Sequence, residues 1–188
     1  LADNGSAVSK FTITNDKLQH VNISTSGGHF LVACNGSDPT LIYDGSHWFK
    51  VATTSTAQTI SSITRGGTGN LTATLTTASA HGLITGNRVT ISGASPSGFN
   101  GTFVITVTGT TTFTYTMAAD PGGDASVMGS YTVLGIKGAT VGGTTYTINS
   151  NTFINVNVFK NRLWFTEKDT MKVWYLDTNS ISGDAYPL

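Results

Sequence analysis

Apolar and polar residues alternate along this chain with the two-residue period of half-buried β-strands, and no segment shows the period of an amphipathic helix. The alternation is clearest in four runs in the middle of the chain: Leu71–Leu75, Val89–Ile91, Phe103–Val107 and Phe113–Met117. In the last run the three large apolar side chains share one face and the two threonines share the other. The pattern predicts an all-β fold.

Turn-forming residues separate these runs, at His81-Gly82, Gly86-Asn87, Asn100-Gly101 and Gly109. Asn100-Gly101 is the strongest hairpin signal, because both residue types tolerate a positive φ. Each strand has one apolar face, and that face needs a partner face to cover it. The middle of the chain is therefore predicted to form a small closed β-barrel or a sandwich.

The two flanks contain a weak internal repeat of three short apolar elements. The first copy comprises Val21–Ile23, Phe30–Val32 and Leu41–Asp44, and the second comprises Val156–Val158, Leu163–Phe165 and Val173–Asp177. The spacing from Leu31 to Ile42 equals the spacing from Leu163 to Trp174. Repeated antiparallel strands at this spacing predict successive propeller blades, with the second element of each copy as an inner strand.

Two predicted blades do not complete a propeller, which closes with about 4–8 blades of four strands each. The flanks are long enough for two to three blades, and the chain starts with Leu1 instead of Met. We therefore expect a partial propeller that belongs to a longer protein. Its open sheet edges would be covered by further chain or by partners.

The distribution of charge predicts where the two kinds of unit meet. Between residues 65 and 131 the ionisable acidic and basic groups are Arg65, Arg88, Asp120 and Asp124, and no lysine occurs there. The predicted order is a first propeller-like segment at residues 1–61, an inserted barrel at 62–133 and a second propeller-like segment at 134–188.

The low charge of the chain bears on which kinds of molecule it can bind. Charged residues make up 11% of the chain, against about 25% in typical proteins, and the formal net charge is zero. A neutral surface argues against direct binding to nucleic acid or anionic membranes, and it suits a protein that lives in an assembly. No stretch is long enough to span a membrane as a helix. Cys34, the only cysteine, lies in an apolar run and is predicted to be a buried thiol.

Motifs of catalysis and ligand binding are weak in this sequence. The four histidines (His20, His29, His47 and His81) stand in unrelated contexts, and no Gly-x-Ser-x-Gly is present. Gly66-Gly67-Thr68-Gly69 lacks the Lys-Ser/Thr of a phosphate-binding loop. Candidate carboxylates for a glycosidase pair lie mostly at turns, where Asp is structurally favoured: Asp38, Asp44, Glu167, Asp169 and Asp177. We predict no catalytic residue and no cofactor.

Four further features have a structural and a functional interpretation. Asp44 and His47 are close enough in sequence to share a metal ion, but a turn Asp beside a partly buried His explains them too, and we predict no metal site. His81 is predicted to bond to the backbone of its own turn. Three tryptophans (Trp48, Trp164 and Trp174) offer a sugar-stacking platform, but Trp164 and Trp174 recur at blade positions, and we expect them to pack in the core between blades. Lys160-Asn161-Arg162 is predicted to be a solvated hairpin turn.

The middle of the chain resembles the first catalytic cysteine half-domain of ubiquitin-activating enzymes, a small β-barrel. The matching residues are His81-Gly82-Leu83, Gly86 with Val89-Thr90-Ile91, Phe99-Asn100-Gly101, Val107-Thr108-Gly109 and Thr112-Phe113-Thr114. Similar modules occur in bacteriophage virion proteins, often as insertions. The resemblance implies no ubiquitin chemistry, since that half-domain does not hold the catalytic cysteine.

The flanks resemble a β-propeller region in bacteriophage tail proteins of the hub or nozzle type. The resemblance rests on four segments: 21–31, Leu41-Ile42-Tyr43-Asp44-Gly45, 159–165, and Val173–Leu176 followed by Ser180–Gly183. It implies a non-enzymatic virion component of the tail hub, nozzle or head-to-tail region, assembled in the host bacterial cytoplasm. Its partners would be other virion proteins and copies of itself in a ring.

Two other functions remain open from the sequence. One is a carbohydrate-binding or adhesin-type β module at a cell surface, which an aromatic platform on an exposed face would favour. The other is a hydrolase of surface polysaccharide, which a carboxylate pair about 5–9.5 Å apart in a groove would favour.

Overall fold

The computed structural model describes residues 12–53 and 58–188, and in these ranges the protein is all-β, as the alternation predicts. Three single-turn 3-10 helices at Thr68–Asn70, Ser97–Phe99 and Ser150–Thr152 interrupt the strands. No helix in the described ranges has the length and apolar character needed to cross a bilayer. The predicted segment 1–61 includes residues 1–11 and 54–57, which lie outside the described part.

The first sheet is a four-stranded antiparallel meander. It consists of β1 (Gln19–Thr25), β2 (Gly28–Cys34), β3 (Leu41–Tyr43) and β4 (Trp48–Lys50), in that order. Its buried face carries large apolar side chains at alternate positions, which are Ile23, Phe30, Val32, Ile42 and Phe49. The turn that contains residues 35–39 connects β2 to β3.

The second sheet repeats the same meander and adds one strand. It consists of β15 (Phe153–Phe159), β16 (Arg162–Glu167), β17 (Val173–Tyr175) and β18 (Gly183–Pro187), with β12 (Ile136–Gly138) parallel to β18 at the edge. The turn that follows Glu167 joins β16 to β17. A two-stranded ribbon of β13 (Thr140–Val141) and β14 (Thr144–Thr145) follows β12.

The predicted second elements of the repeat are strands, but the equal spacing from Leu31 to Ile42 and from Leu163 to Trp174 does not reflect how the strands pair. Val32 lies opposite Ile42, whereas Leu31 lies opposite Tyr43. In the second copy Phe165 lies opposite Trp174. Because side chains alternate between faces, equating Leu31 with Leu163 by spacing matches a half-buried outer position with a core position. The two elements are also the second strands of their sheets, and the first strands, β1 and β15, lie against each other.

The seven-stranded sheet occupies the middle of the chain, between the strands of the first and second sheets. Its strands are β5 (Gln58–Gly66), β6 (Thr72–Thr77), β7 (Arg88–Ser92), β8 (Gly101–Val104), β9 (Thr106–Val107), β10 (Thr112–Thr116) and β11 (Ser130–Val133). The order across the sheet is β8-β7-β11-β5-β6-β10-β9, and the ladder does not close. Its two end strands are nevertheless neighbours in sequence, separated by Ile105.

Asn100-Gly101 does not form the tight turn predicted for it. β7 and β8 do form a hairpin, but the connection between them is longer and contains the 3-10 turn Ser97–Phe99. Gly101 begins β8 with φ of 148°, and the Asn100 side chain bonds to both backbone groups of Ala94 at 2.9 and 2.8 Å. The Asn amide therefore closes a wide loop instead of a two-residue one.

Two hydrophobic cores hold the described chain together. One joins the first and second sheets and is centred on residues such as Ile42, Phe49, Phe165 and Trp174. The other lies within the seven-stranded sheet, where Phe113, Tyr115 and Met117 are buried on one face as the alternation predicts. Ile105 is buried there as well, whereas Phe103 is half-buried.

Candidate functional site

The outer face of the second sheet carries a strip of three aromatic side chains. Trp164 of β16 pairs with Tyr175 of β17, which in turn pairs with Tyr186 of β18. Their ring centroids are 4.9 Å and 5.4 Å apart, with interplanar angles of 34° and 25°. These separations match the spacing of neighbouring strands, so the half-buried rings stand on the sheet and stack on one another.

Charged residues of both signs border the aromatic strip. The Arg162 guanidinium lies 5.4 Å from the Tyr175 ring centroid. Asp184 forms an ion pair of 2.7 Å with a lysine of β12. The negative charge of Asp177 raises the pKa of the Tyr186 phenol, with smaller contributions from partial burial and from Asp184. The strip is therefore an apolar stripe with a polar rim, the usual anatomy of a protein contact surface.

The β15–β16 turn extends the aromatic strip at one end. Lys160 and Asn161 both have positive φ, of 51° and 55°, which is the geometry of a two-residue hairpin turn. Phe159 is 60% exposed, and the Lys160 ammonium lies 5.5 Å from its ring centroid. The Trp164 indole N–H donates to the Phe159 carbonyl at 3.3 Å. The predicted turn is present, and it presents an exposed aromatic ring beside a cation.

The outer face of the first sheet carries a smaller apolar patch. Tyr43 of β3 pairs with Trp48 of β4, with ring centroids 5.2 Å apart, and Leu31 of β2 lies opposite Tyr43. All three are half-buried. At the strand ends, the Ser24 hydroxyl and the His29 Nδ1 are hydrogen-bonded at 2.8 Å.

The hydrogen-bond pattern identifies which face of each sheet is buried. Successive residues of an antiparallel strand bond alternately to the preceding and the following strand, and they point to opposite faces. The Asp44 N–H donates to the His47 carbonyl at 3.2 Å, so the backbone of Asp44 bonds toward β4 and that of the preceding residue, Tyr43, bonds toward β2. Tyr43 lies opposite Leu31, so Leu31 bonds toward β3, and the next residue, buried Val32, bonds toward β1, the preceding strand. Buried Leu163 instead bonds to β17, the following strand, because its carbonyl accepts from Leu176 at 3.0 Å.

The two sheets therefore stack front to back. On the second strand of each sheet, some residues bond through their backbone to the first strand and the others to the third. We call the face that carries the side chains of the former residues the front face, and the opposite face the back face. Both sheets follow the same strand order, so these faces are equivalent between them. The front of the first sheet packs on the back of the second. The front of the second sheet, with the aromatic strip, and the back of the first sheet, with Leu31, Tyr43 and Trp48, face outward.

A cleft lies where the seven-stranded sheet meets the first sheet. Its volume is about 380 Å³, and its lining includes Asp44, His47, Arg88 and Phe103. The Arg88 guanidinium forms an ion pair of 3.1 Å with Asp44 and lies 4.9 Å from the Phe49 ring centroid. Arg88, one of the few charges of the middle segment, thus fastens the two sheets together.

The Asp44–His47 pair that the sequence offered as metal ligands is used differently. The Asp44 carboxylate accepts the backbone N–H groups of Ser46 and His47 at 2.9 and 2.7 Å, as a turn Asp does. Burial opposes ionisation of Asp44, but these N–H groups and Arg88 outweigh it and lower the pKa of the carboxyl. In the described ranges no group of three or more His, Cys, Asp or Glu side chains has the arrangement to hold a metal ion.

The other candidate carboxylates have structural contacts or exposed positions. Asp38 is buried and accepts four hydrogen bonds from Thr14, Asn15 and Asn35. Glu167 accepts from the indole N–H of Trp174 at 3.0 Å. Asp169 is an exposed turn residue with φ of 57°, and Asp177 is exposed after β17.

The remaining candidates occupy three kinds of environment. His81 bonds to its own turn as predicted, since its Nδ1 accepts the Leu83 N–H at 3.0 Å. His20 is exposed on β1, and Gly67 and Gly69 form a turn around Thr68–Asn70. Trp174 lies in the core as expected, at 1% exposure. Trp164 does not, because its strand turns it to the outer face of the second sheet, and Trp48 lies on the outer face of the first. Cys34 is buried, and burial raises the pKa of its thiol to about 12.

Sequence reasoning missed the aromatic strip. It weighed Trp164 as a sugar-stacking residue but expected it in the core, and it did not name Tyr175 or Tyr186 as site residues. Both tyrosines follow from strand register, because each pairs directly with the strip residue of the neighbouring strand.

A scan against protein-family models found no match for this chain, and a search of curated proteins found none either.

Proposed function

We propose that this chain is a non-enzymatic structural component of a bacteriophage virion, from the tail hub, nozzle or head-to-tail region, and that it acts by assembly. The observation that carries the proposal is the front-to-back stacking of two equivalent four-stranded meanders on one core. Such stacking is a repeating relation, so it suits a wall built from a series of sheets.

In this proposal the two sheets are successive blades of a partial β-propeller of two to three blades. The contact between β1 and β15 supports it, because first strands lie side by side at the centre of a propeller. The seven-stranded sheet would be the inserted barrel of residues 62–133, between propeller segments 1–61 and 134–188. Its support is that β8 and β9, at opposite ends of the sheet, are joined through Ile105.

The mechanism we propose is mechanical. Blades form a rigid wall, and the inserted barrel projects from the β4 end of the first blade toward neighbours or solvent. The Arg88–Asp44 ion pair would fix the angle at which it projects. Partners would be other virion proteins and further copies of the chain, and the mature location would be the virion after assembly in the host cytoplasm.

The experiment is detection of this chain in purified virions. Particles from the source of this sequence would be banded by density and analysed by peptide mass spectrometry, with immunogold labelling to locate the chain. We expect peptides of the chain to co-purify with particles and gold to label the tail. Absence from intact particles, with presence in the particle-free fraction, would refute the proposal.

A second candidate, a carbohydrate-binding module, is favoured by the aromatic strip on an exposed face. Sugars stack on ring faces, however, and the rings of Trp164, Tyr175 and Tyr186 cover much of one another. A glycan array would test this function with the Trp164→Ala variant as the matched control. Glycan binding that disappears in that variant would favour the second candidate.

A further inference from the structure

We propose that the front face of the second sheet is the docking surface for the back face of the first sheet of a second copy of this chain. The proposal deepens the function proposed above, on which it rests, by naming the partner and the two surfaces. It predicts that one copy's aromatic strip covers the neighbour's patch of Leu31, Tyr43 and Trp48.

The argument starts from the contact already made inside the molecule. There, a front face carrying Phe30, Val32, Ile42 and Phe49 packs on a back face of an equivalent sheet. The aromatic strip is the same kind of face, defined by the same hydrogen-bond pattern, on a sheet of the same strand order. Inside the molecule, the front face of one sheet packs on the back face of the next. The same packing, applied to the front face of the second sheet, places the back face of the first sheet of another copy on the aromatic strip.

The chemistry of the two outward faces matches this role. Each face presents half-buried apolar residues, which are Leu31, Tyr43 and Trp48 on one and Trp164, Tyr175 and Tyr186 on the other. Aromatic groups with a polar rim are typical of protein contact surfaces, and rings that lie against one another leave fewer free faces for sugar rings. Arg162 and Asp177 at the rim supply charges of both signs for registering the partner.

The two outward faces are different from each other, so the predicted association is head to tail. A head-to-tail contact uses one surface of each kind per copy, and it leads to a ring if the rotation closes or to a filament if it does not. A four-stranded sheet face measures about 19 Å by 17 Å, since strands are ~4.8 Å apart and residues ~3.3 Å. This contact is smaller than the ~800 Å² per partner of a stable complex, so we expect weak, concentration-dependent association.

Disulfide trapping detects such a weak contact. Asn157 lies opposite Trp164 and is exposed on the front face of β15, and Asn22 lies opposite Leu31 and is exposed on the back face of β1. Because β1 and β15 lie against each other inside the molecule, the repeated contact places Asn157 of one copy near Asn22 of the next. The native Cys34 is buried at 1% exposure and stays out of the reaction.

Asn157→Cys and Asn22→Cys variants would be oxidised separately and as a mixture, and the disulfide dimers compared over time. We expect the mixed dimer to form faster than either same-variant dimer. Equal or slower formation of the mixed dimer would overturn the proposal. Faster formation of the Asn157→Cys homodimer would indicate a symmetric contact instead, which contradicts it as well.

Sedimentation of face variants gives an independent readout. Tyr186→Glu disables the front face and Trp48→Glu disables the back face, and circular dichroism checks that each variant is folded. We expect each variant alone to remain monomeric, and their mixture to stop at a dimer because only one intact pair of faces remains. Self-association of Tyr186→Glu at the wild-type level would overturn the proposal. The virion experiment is separate: a chain found in virions that does not self-associate refutes this inference alone.

Discussion

Replacing Asp38 by Asn removes a buried charge that ties the segment before β1 to the turn after β2. The Asp38 carboxylate accepts the N–H of Thr14 at 2.7 Å, the Thr14 hydroxyl at 3.0 Å, the N–H of Asn15 at 3.4 Å and the Asn35 side-chain amide at 2.7 Å. The residue is 9% exposed. An Asn at this position keeps one acceptor oxygen but turns an NH₂ group toward donors that then lack a partner.

The expected cost follows from these bonds. A hydrogen bond to a charged group contributes about 1.5–3 kcal/mol, and a buried donor left unsatisfied costs about 1–3 kcal/mol. We therefore expect Asp38→Asn to lower the free energy of unfolding by about 2–3 kcal/mol at neutral pH. For a chain of this size that loss corresponds to a fall in Tm of roughly 4–12 °C.

The effect of Asp38→Asn depends on pH with a definite sign. Burial alone raises the pKa of Asp38, but the hydrogen bonds from Asn35, Thr14 and Asn15 outweigh it and lower the pKa in the folded state. A lowered folded pKa means that the stabilisation is complete above the unfolded pKa of about 3.9 and is lost as the pH falls through the folded pKa. The gap in stability between wild type and variant is thus full at neutral pH and narrows in acid below about pH 4.

Urea unfolding at neutral pH and at about pH 3 measures both quantities. The matched control is Asp169→Asn, an exposed turn position with φ of 57° where Asn is accepted equally well. We expect the control to change stability by less than about 0.5 kcal/mol. An Asp38→Asn variant as stable as the control at neutral pH, or a loss that is undiminished in acid, would refute the reasoning.

Three further predictions concern the seven-stranded sheet, its junction and the thiol. Arg88→Met removes the ion pair with Asp44 and a cation–π contact with Phe49, so we expect the free energy of unfolding measured in urea to fall by about 1–2 kcal/mol. A double-mutant cycle with Asp44→Asn should give a non-zero coupling energy. Gly129 has φ of 66°, and Gly129→Ala places a Cβ against the backbone oxygen of Ser92 in β7. We expect a much larger fall in Tm than for the control Gly45→Ala, where φ is 93° and no atom lies within 4 Å of the added Cβ. Equal falls in Tm would contradict this prediction. Cys34 should react with a thiol reagent at pH 8 much more slowly in the folded protein than in urea, because burial raises its pKa to about 12; equal rates would show that the thiol is accessible.

The sequence predicted strands well where the alternation was strong, as at Phe113–Met117, where burial follows the two-residue period. It predicted turns less well, because Asn100 uses its side chain to close a wide loop, and residue type alone does not distinguish that role from a tight turn. The repeat was detectable, but its register was not. Both Trp174 and Tyr175 are large and apolar enough for the core, and the choice between them depends on cross-strand pairing.

The aromatic strip was beyond sequence reasoning for the same reason. Trp164, Tyr175 and Tyr186 come from three strands, with different intervals between them along the chain, and they meet because the register pairs them. Their spacing in the sequence carries no period. The ion pair of Arg88 with Asp44 joins two sheets and depends equally on the tertiary arrangement. Local patterns thus predict strands and buried faces, whereas contacts between strands need the pairing itself.

The entry and exit of the seven-stranded sheet lie side by side, and this has a consequence for folding order. Ala52 bridges to Gly135 in a parallel pair, its N–H donates to Leu134 at 3.3 Å, and its carbonyl accepts from Ile136 at 2.8 Å. If the seven-stranded sheet folds first, the flexible connection of ~80 residues between Ala52 and Gly135 is replaced by an effective connection of a few residues. Closure entropy scales as about (3/2)RT ln n, so the search that brings the first and second sheets together becomes easier by about 2–3 kcal/mol. If the inserted strands fold first, they therefore offset the separation that their own length puts between the first and second sheets.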